Sequence, residues 1–242
     1  MKFSIADTTT FLDSLRAIGT LINEAAFKAD EHGLSLIAMD AANVAMVIFK
    51  MGPSEFMEWN VPEPTTFVVK VADLKNVVSR APKAQLTISL ESNQLFVLLN
   101  DKGKHKEFKI GLLSEDEKPK TEPALQFKAV VNMDNAELKD AIADATLIGE
   151  SCQFNVIGGK MLIKASGDGS ARASESDVVA TVTGVDCKSK YSIEYLDKML
   201  STKISKNIRV QLGTDYPIKL SFTNATGTAG ISFILAPRIE NS

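Results

Sequence analysis

Two histidines, two cysteines, a glycine-containing run and the acidic residues are the parts of this 242-residue chain that could carry out chemistry. His32 stands in Asp30-Glu31-His32-Gly33 and His105 in the charged segment Asp101 to Lys106, so each reads as a solvated loop side chain. Neither has a cysteine or a second histidine at metal-ligand spacing. Cys152 and Cys187 form no CxxC pair, and the N-terminal MKFSIADTTTF lacks the apolar run of an export signal, so both read as reduced thiols. In that setting the sequon at Asn224-Ala225-Thr226 carries no meaning. GDGSAR, residues 167–172, has phosphate-loop glycines but ends on Arg172 where a dinucleotide loop needs a small residue, and it lies between two strand patterns; it reads as a tight turn. The 30 acidic residues leave a carboxylate pair open, although none stands in a recognisable catalytic context. The expectation is a protein that is not an enzyme and has no metal or cofactor.

Basic residues are more informative. A helical segment in the first half carries Lys75, Arg80 and Lys83 against Asp73, and its counterpart carries Lys198, Lys203 and Lys206 against Glu194 and Asp197. Two earlier helical segments add Arg16 and Lys139, opposed by Asp13, Asp140 and Asp144. Positive helices in a chain with 27 Lys plus Arg against 30 Asp plus Glu, a formal net of −3, mean that charge is sorted by element. The same pattern also fits a solvated helix face with no partner.

The elements that position these residues are written twice. Leu21, Glu24 and Phe27 are echoed by Leu147, Glu150 and Phe154. Each copy follows a segment of helical period, Phe11, Leu15, Ile18 and Ile22 in one and Leu138, Ala141, Ile142 and Ala145 in the other. A second such segment follows in each half, with Leu74, Val77 and Val78, then Leu196, Met199 and Leu200. Most other apolar residues alternate, as Leu86, Ile88, Leu90 and Leu95, Val97, Leu99 do around Glu91-Ser92-Asn93. Ile208, Val210, Leu212 and Ile218, Leu220, Phe222 repeat this around Gly213-Thr214-Asp215, the mark of half-buried antiparallel strands. The fold class is α+β, two similar domains with two helices each on an antiparallel sheet. The boundaries are 1–113 and 125–242, with SEDEKPKTEP in the connector 114–124. No stretch approaches the roughly 20 apolar residues of a membrane helix, so no membrane role and a cytoplasmic location are expected.

Four blocks carry a resemblance: LINEAAFKADEHGLSLIAMDAANVAMV (21–47), its second-half copy, YPIKLSF (216–222) and LAPRIE (235–240). Over essentially the whole chain the sequence resembles the DNA sliding clamps of the proliferating cell nuclear antigen family, and the short tail after Glu240 looks archaeal. The resemblance implies a homotrimeric ring of six similar domains, with helices lining a hole around double-stranded DNA. It implies that Arg16, Lys75, Arg80, Lys83, Lys139, Lys198, Lys203 and Lys206 face the phosphates. It further implies closure by pairing of the strand Lys106 to Leu113 with a strand near Ala171 to Val182 of the next subunit. Implied partners are a clamp loader, and DNA polymerase, ligase and nucleases, which dock through a short motif of glutamine, an aliphatic residue and two aromatics. The pocket carried over for that motif comprises Met39, Val44, Pro217, Ile234, Ala236, Pro237 and Ile239.

This chain departs from the family in its connector, where Glu117, Lys118, Pro119, Lys120, Thr121 and Glu122 stand where aliphatic residues are usual, so one pocket wall is thinner or more polar. At the terminus, Phe233 and Leu235 continue the alternation begun at Ile231 and face a core, while Ile234 and the segment beyond face outward. Two alternatives stay open: a specialised subunit of a heterotrimeric clamp, and a soluble enzyme of duplicated α+β domains.

Overall fold

The computed structural model describes residues 1–91, 93–114, 120–167 and 173–239. The reading of GDGSAR as a turn, Ala171 of the expected pairing strand, connector positions Glu117, Lys118 and Pro119, and Glu240 lie outside the described residues.

The first half runs β1 (Lys2–Ile5), α1 (Thr9–Ile18), β2 (Glu24–Asp30), β3 (Gly33–Met39), β4 (Ala45–Met51), β5 (Glu58–Asn60), β6 (Thr65–Lys70), α2 (Val71–Val78), β7 (Gln85–Glu91), β8 (Gln94–Asp101) and β9 (Lys104–Gly111). The second runs β10 (Ala129–Asp134), α3 (Asn135–Thr146), β11 (Ser151–Ile157), β12 (Lys160–Ser166), β13 (Ala173–Val178), β14 (Ala180–Gly184), β15 (Cys187–Ser192), α4 (Ile193–Leu200), β16 (Asn207–Leu212), β17 (Ile218–Thr223) and β18 (Ala229–Leu235). The order of strands and helices is the same in both. So is the pairing: β5-β1-β7-β8-β9 matches β14-β10-β16-β17-β18, and β6-β2-β3-β4 matches β15-β11-β12-β13. The duplication legible in the sequence is thus a duplication of an α+β fold.

Contacts divide the chain into two compact units: Met1–Ala41 with Val47–Glu122 and Thr223–Ile231, and Ala42–Met46 with Pro123–Phe222 and Ser232–Ser242. The division falls within β4 and within β18, so each unit contains one end of both strands. In the first unit the Gly52 N–H donates to the Thr228 carbonyl at 2.8 Å, and in the second the Ala236 N–H donates to the Val44 carbonyl at 2.9 Å.

The helix stripes are buried as their period requires. Leu138, Ile142 and Ala145 are fully buried and Ala141 nearly so, and Asp134 caps α3 by accepting the Ala136 N–H at 2.8 Å. Leu196, Met199 and Leu200 of α4 are inaccessible, as are Leu74 and Val78 of α2. In the strands, Leu86, Ile88, Leu95, Val97 and Leu99 are fully buried, and Ile208, Val210, Leu212, Ile218, Leu220 and Phe222 nearly or fully so. Gly19 ends α1 where a Cβ would lie 3.3 Å from Cγ1 of Val71 in α2, so the glycine lets the two helices approach closely.

Three expectations need correction. Helix α1 stops at Ile18, so Ile22, though 4% exposed, is buried from the turn that follows rather than from the helix. His105 lies in β9, paired with Asn100, because the turn between β8 and β9 takes only Lys102 and Gly103, both at positive φ. The strand expected near 171–182 is two strands: β13 pairs with β12 and β14 with β10, and the chain changes sheets at the exposed Val179.

One carboxylate fixes the turn between β17 and β18. Glu55 accepts hydrogen bonds from Nδ2 of Asn224 at 2.8 Å and Oγ1 of Thr226 at 2.9 Å, and another from Oγ1 of Thr228. Burial pushes its pKa up, but the hydrogen bonds from Thr228, Asn224 and Thr226 outweigh this and hold it below the ordinary 4.5. A pKa lowered on folding adds stability above the unfolded-state value, and that stability is lost as pH falls through the folded-state value. Glu55→Gln is therefore expected to destabilise by about 1 kcal/mol at pH 7, with the difference from the parent closing below about pH 4. Urea unfolding at several pH values checks it.

Candidate nucleic-acid and partner interface

The helices pack in pairs, α1 with α2 and α3 with α4. Arg16 thereby shares one helix pair with Lys75, Arg80 and Lys83, and Lys139 shares the other with Lys198, Lys203 and Lys206. The placement differs in detail from the sequence expectation. Helix α2 ends at Val78 and α4 at Leu200, so Arg80, Lys83, Lys203 and Lys206 stand in the turns beyond the helices, and Lys83 has a left-handed backbone, φ 68. Cations just past a helix C-terminus are favoured by the partial negative charge of its last carbonyls. Hydrophobic period marks the buried face of a helix but not its end, which is why the segments read longer.

Arg80, Lys83, Lys139, Lys203 and Lys206 are exposed, and Lys75 is half-buried. Two of the eight basic residues are held by neighbouring acids. Arg16 pairs with Asp13 at 2.9 Å, and Lys198 pairs with Glu194 at 2.7 Å while its ammonium lies 5.5 Å from the centre of the Tyr195 ring. The Glu194 carboxyl is held below its ordinary value by the hydrogen bond from Lys198. Both pairs are of the solvated i,i+3 or i,i+4 kind, so phosphate can compete for these cations.

The second candidate surface is built from the chain terminus. Beyond Leu235 the backbone is tied twice, by the Ala236 N–H to the Val44 carbonyl at 2.9 Å and by the Arg238 N–H to the Lys190 carbonyl at 2.7 Å. Pro237, with no N–H to satisfy, sits between these two anchors. The terminus is held while its side chains stay open: Ile239 is 72% exposed, Val44 36%, Ala236 is exposed, and Pro237 and Pro217 are half-buried. Ile234 is only 7% exposed, correcting the expectation that it projects. Met39, in the other unit, is half-buried at the end of β3.

The residues first considered for chemistry are not assembled. His32 is exposed, 3.6 Å from Glu31, and the described residues contain no group of three or more His, Cys, Asp or Glu that could hold a metal. Cys152 and Cys187 are free and buried, and burial pushes the Cys152 thiol up to about 12. Among the described residues no helix is long and apolar enough to cross a membrane.

The profile of the family described as proliferating cell nuclear antigen, N-terminal domain, matches residues 3–118. A protein named DNA polymerase sliding clamp from Nanoarchaeum equitans is 31% identical, the match covering 99% of this chain and 100% of that one. The chain belongs to the proliferating cell nuclear antigen family of sliding clamps. Proteins of the same name from Archaeoglobus fulgidus, 32% identical over 93% of this chain and 94% of theirs, and Methanosarcina mazei, 30% over 95% of each, are similar along the same span. The two-domain clamp fold accounts for the element-by-element duplication.

Sequence reasoning missed a charge pattern on two strands of this clamp. Strand β9 carries Lys104, Lys106 and Lys109 with one acid, Glu107, whereas β13 carries Glu175 and Asp177 and no base. Each is the last strand in its sheet order. Opposite charge on two terminal strands was the available signal.

Proposed function

We propose that the chain is a DNA polymerase processivity factor, three copies of which close head to tail into a ring around duplex DNA. The observation that carries this reading is a mismatch inside the duplication. Strands β4 and β18 are neighbours in the strand order, yet their counterparts β13 and β9 are left without a partner on their outer edges among the described residues. An acidic β13 facing a basic β9 of the next copy repeats the β4 and β18 arrangement and leaves no open edge. Because both complementary edges lie on one chain, the reading favours a homotrimer over a heterotrimeric subunit.

In such a ring nothing is bonded or cleaved. Lysine and arginine contacts to phosphate carry no sequence information, so the ring slides, and the acids beside Arg16 and Lys198 keep direct affinity low. Retention is topological. Asp13→Asn releases Arg16 in every subunit and is expected to raise association with duplex DNA a few-fold at low salt, a gain that disappears above about 0.2 M salt. Fluorescence anisotropy across a salt series reads both effects; tight, salt-insensitive binding of the parent to short linear duplex would count against weak direct contact.

The terminal segment with Val44 and Pro217 takes the aromatic and aliphatic side chains of a glutamine-containing peptide, through which polymerase, ligase, nucleases and a clamp loader attach. Aromatic anchors supply most of the affinity in such a groove. With no catalytic constellation proposed, the chain acts on the chromosome only by tethering, in the cytoplasm of an archaeal-like cell. The test is the product length made by a polymerase carrying such a motif on a primed circular template, with clamp loader and ATP: longer products with this chain support the reading, and unchanged products oppose it.

A further inference from the structure

Tyr216 is joined to two parts of its unit. Its hydroxyl accepts the Gln126 backbone N–H at 3.2 Å, and its ring meets that of Phe127 edge-on, centroids 6.0 Å apart at 83°. Its carbonyl accepts the hydroxyl of Tyr191 at 2.7 Å and that of Ser189 at 3.3 Å. Tyr191 is fully buried, and burial pushes its phenol up, so it remains a donor. Gly213 makes room for this arrangement, since a Cβ there would stand 3.2 Å from Cβ of Tyr216. The next residue is Pro217, proposed above to line the peptide groove.

Gln126 lies just past the connector, and the described residues from Lys120 to Phe127 form no strand or helix. A backbone without a ladder must satisfy its N–H groups elsewhere. Here one does so on a side chain whose own backbone is fixed from below by two hydroxyls. The carbonyl clamp sets where Tyr216 and Pro217 sit, and the phenol then sets where the connector meets the groove.

We infer that Tyr216 is a positioning residue for partner binding, fixing the C-terminal end of the connector beside Pro217 so that a docking peptide meets an ordered wall. The inference rests on the groove reading above. It also bears on the polar connector, since a wall with few aliphatic residues depends on being held in place.

Tyr216→Phe keeps the ring and the carbonyl and removes only the hydroxyl. The expected result is faster amide exchange at Gln126 and a roughly three- to tenfold weaker Kd for a fluorescent peptide carrying glutamine, an aliphatic residue and two aromatics. The unfolding midpoint should fall by no more than about 2–4 °C and the solution mass stay unchanged, whereas a merely structural role would lower the midpoint without weakening the peptide. Tyr191→Phe, which releases the carbonyl, should weaken the peptide in the same direction. If the parent binds the peptide and Tyr216→Phe binds equally well, or exchange at Gln126 is unaltered, this inference is overturned while the groove stands. If the parent binds no such peptide, the groove reading fails and the inference falls with it.

Discussion

Removing residues 236–242 is expected to abolish peptide-motif binding, by roughly a hundredfold or more in Kd, while the protein still assembles with its full mass. The two halves of that expectation come from different observations. Ala236, Arg238 and Ile239 are exposed and Pro237 is half-buried, so the described part of the segment adds little to the core. The last core residues, Phe233 and Leu235, are at most 1% exposed and lie inside β18. Among the described residues truncation removes two backbone hydrogen bonds, those of Ala236 and Arg238, each worth about 1 kcal/mol net, and the unfolding midpoint should fall by only a few degrees. Calorimetric titration with the peptide and light scattering on the same sample decide it. Loss of assembly on truncation would mean that the terminus has a structural role instead.

The second large effect is at the strand edges. Replacing Glu175 and Asp177 by lysine places like charge opposite Lys104, Lys106 and Lys109 in the proposed contact, and like-charge juxtaposition costs several kcal/mol. The variant should be monomeric at micromolar concentration. Glutamate at Lys104 and Lys106 should do the same alone, and mixing the two variants should restore association through the contacts that now have opposite charges, two of the three in a ring of three. Rescue separates a broken interface from a misfolded chain, because neither variant can be repaired by mixing if it fails to fold. Assembly by each variant alone, at the parent's mass, would place the interface elsewhere. Lys164, which pairs with Glu175 at 2.7 Å within the chain, would lose its partner in the first variant, at a cost of under about 1 kcal/mol for a solvated pair.

Much of the fold was legible because its signals are periodic and are written twice. Phe27 and Phe154, matched by the internal repeat, are both fully buried, in β2 and β11. Alternation located β7, β8, β16 and β17, whose inward residues need only two states, in or out, to be read. Element ends were less legible, since a helix stops where capping and tertiary contact stop it: Gly19 against Val71 for α1, and the C-cap Ser79 for α2. His105 was misplaced because a two-residue turn leaves strand pairing to run further than a charged sequence suggests. The basic residues of the candidate site were visible, but their neighbours in space were not. Tyr216 was quoted in a motif, yet its link to Gln126 spans 90 residues and Tyr191 reaches it from β15, contacts that no local pattern encodes.

The central claim is that the ring is held on DNA by closure rather than by affinity, and one measurement addresses it directly. The protein is loaded onto a nicked circular plasmid with clamp loader and ATP, freed of unbound protein by gel filtration, and then exposed to an enzyme that cuts the plasmid once. Retention on the circle and release within minutes of linearisation are predicted, with blocked DNA ends preventing the release. Equal retention on circular and linear DNA, or loss from both at the same rate, would contradict it.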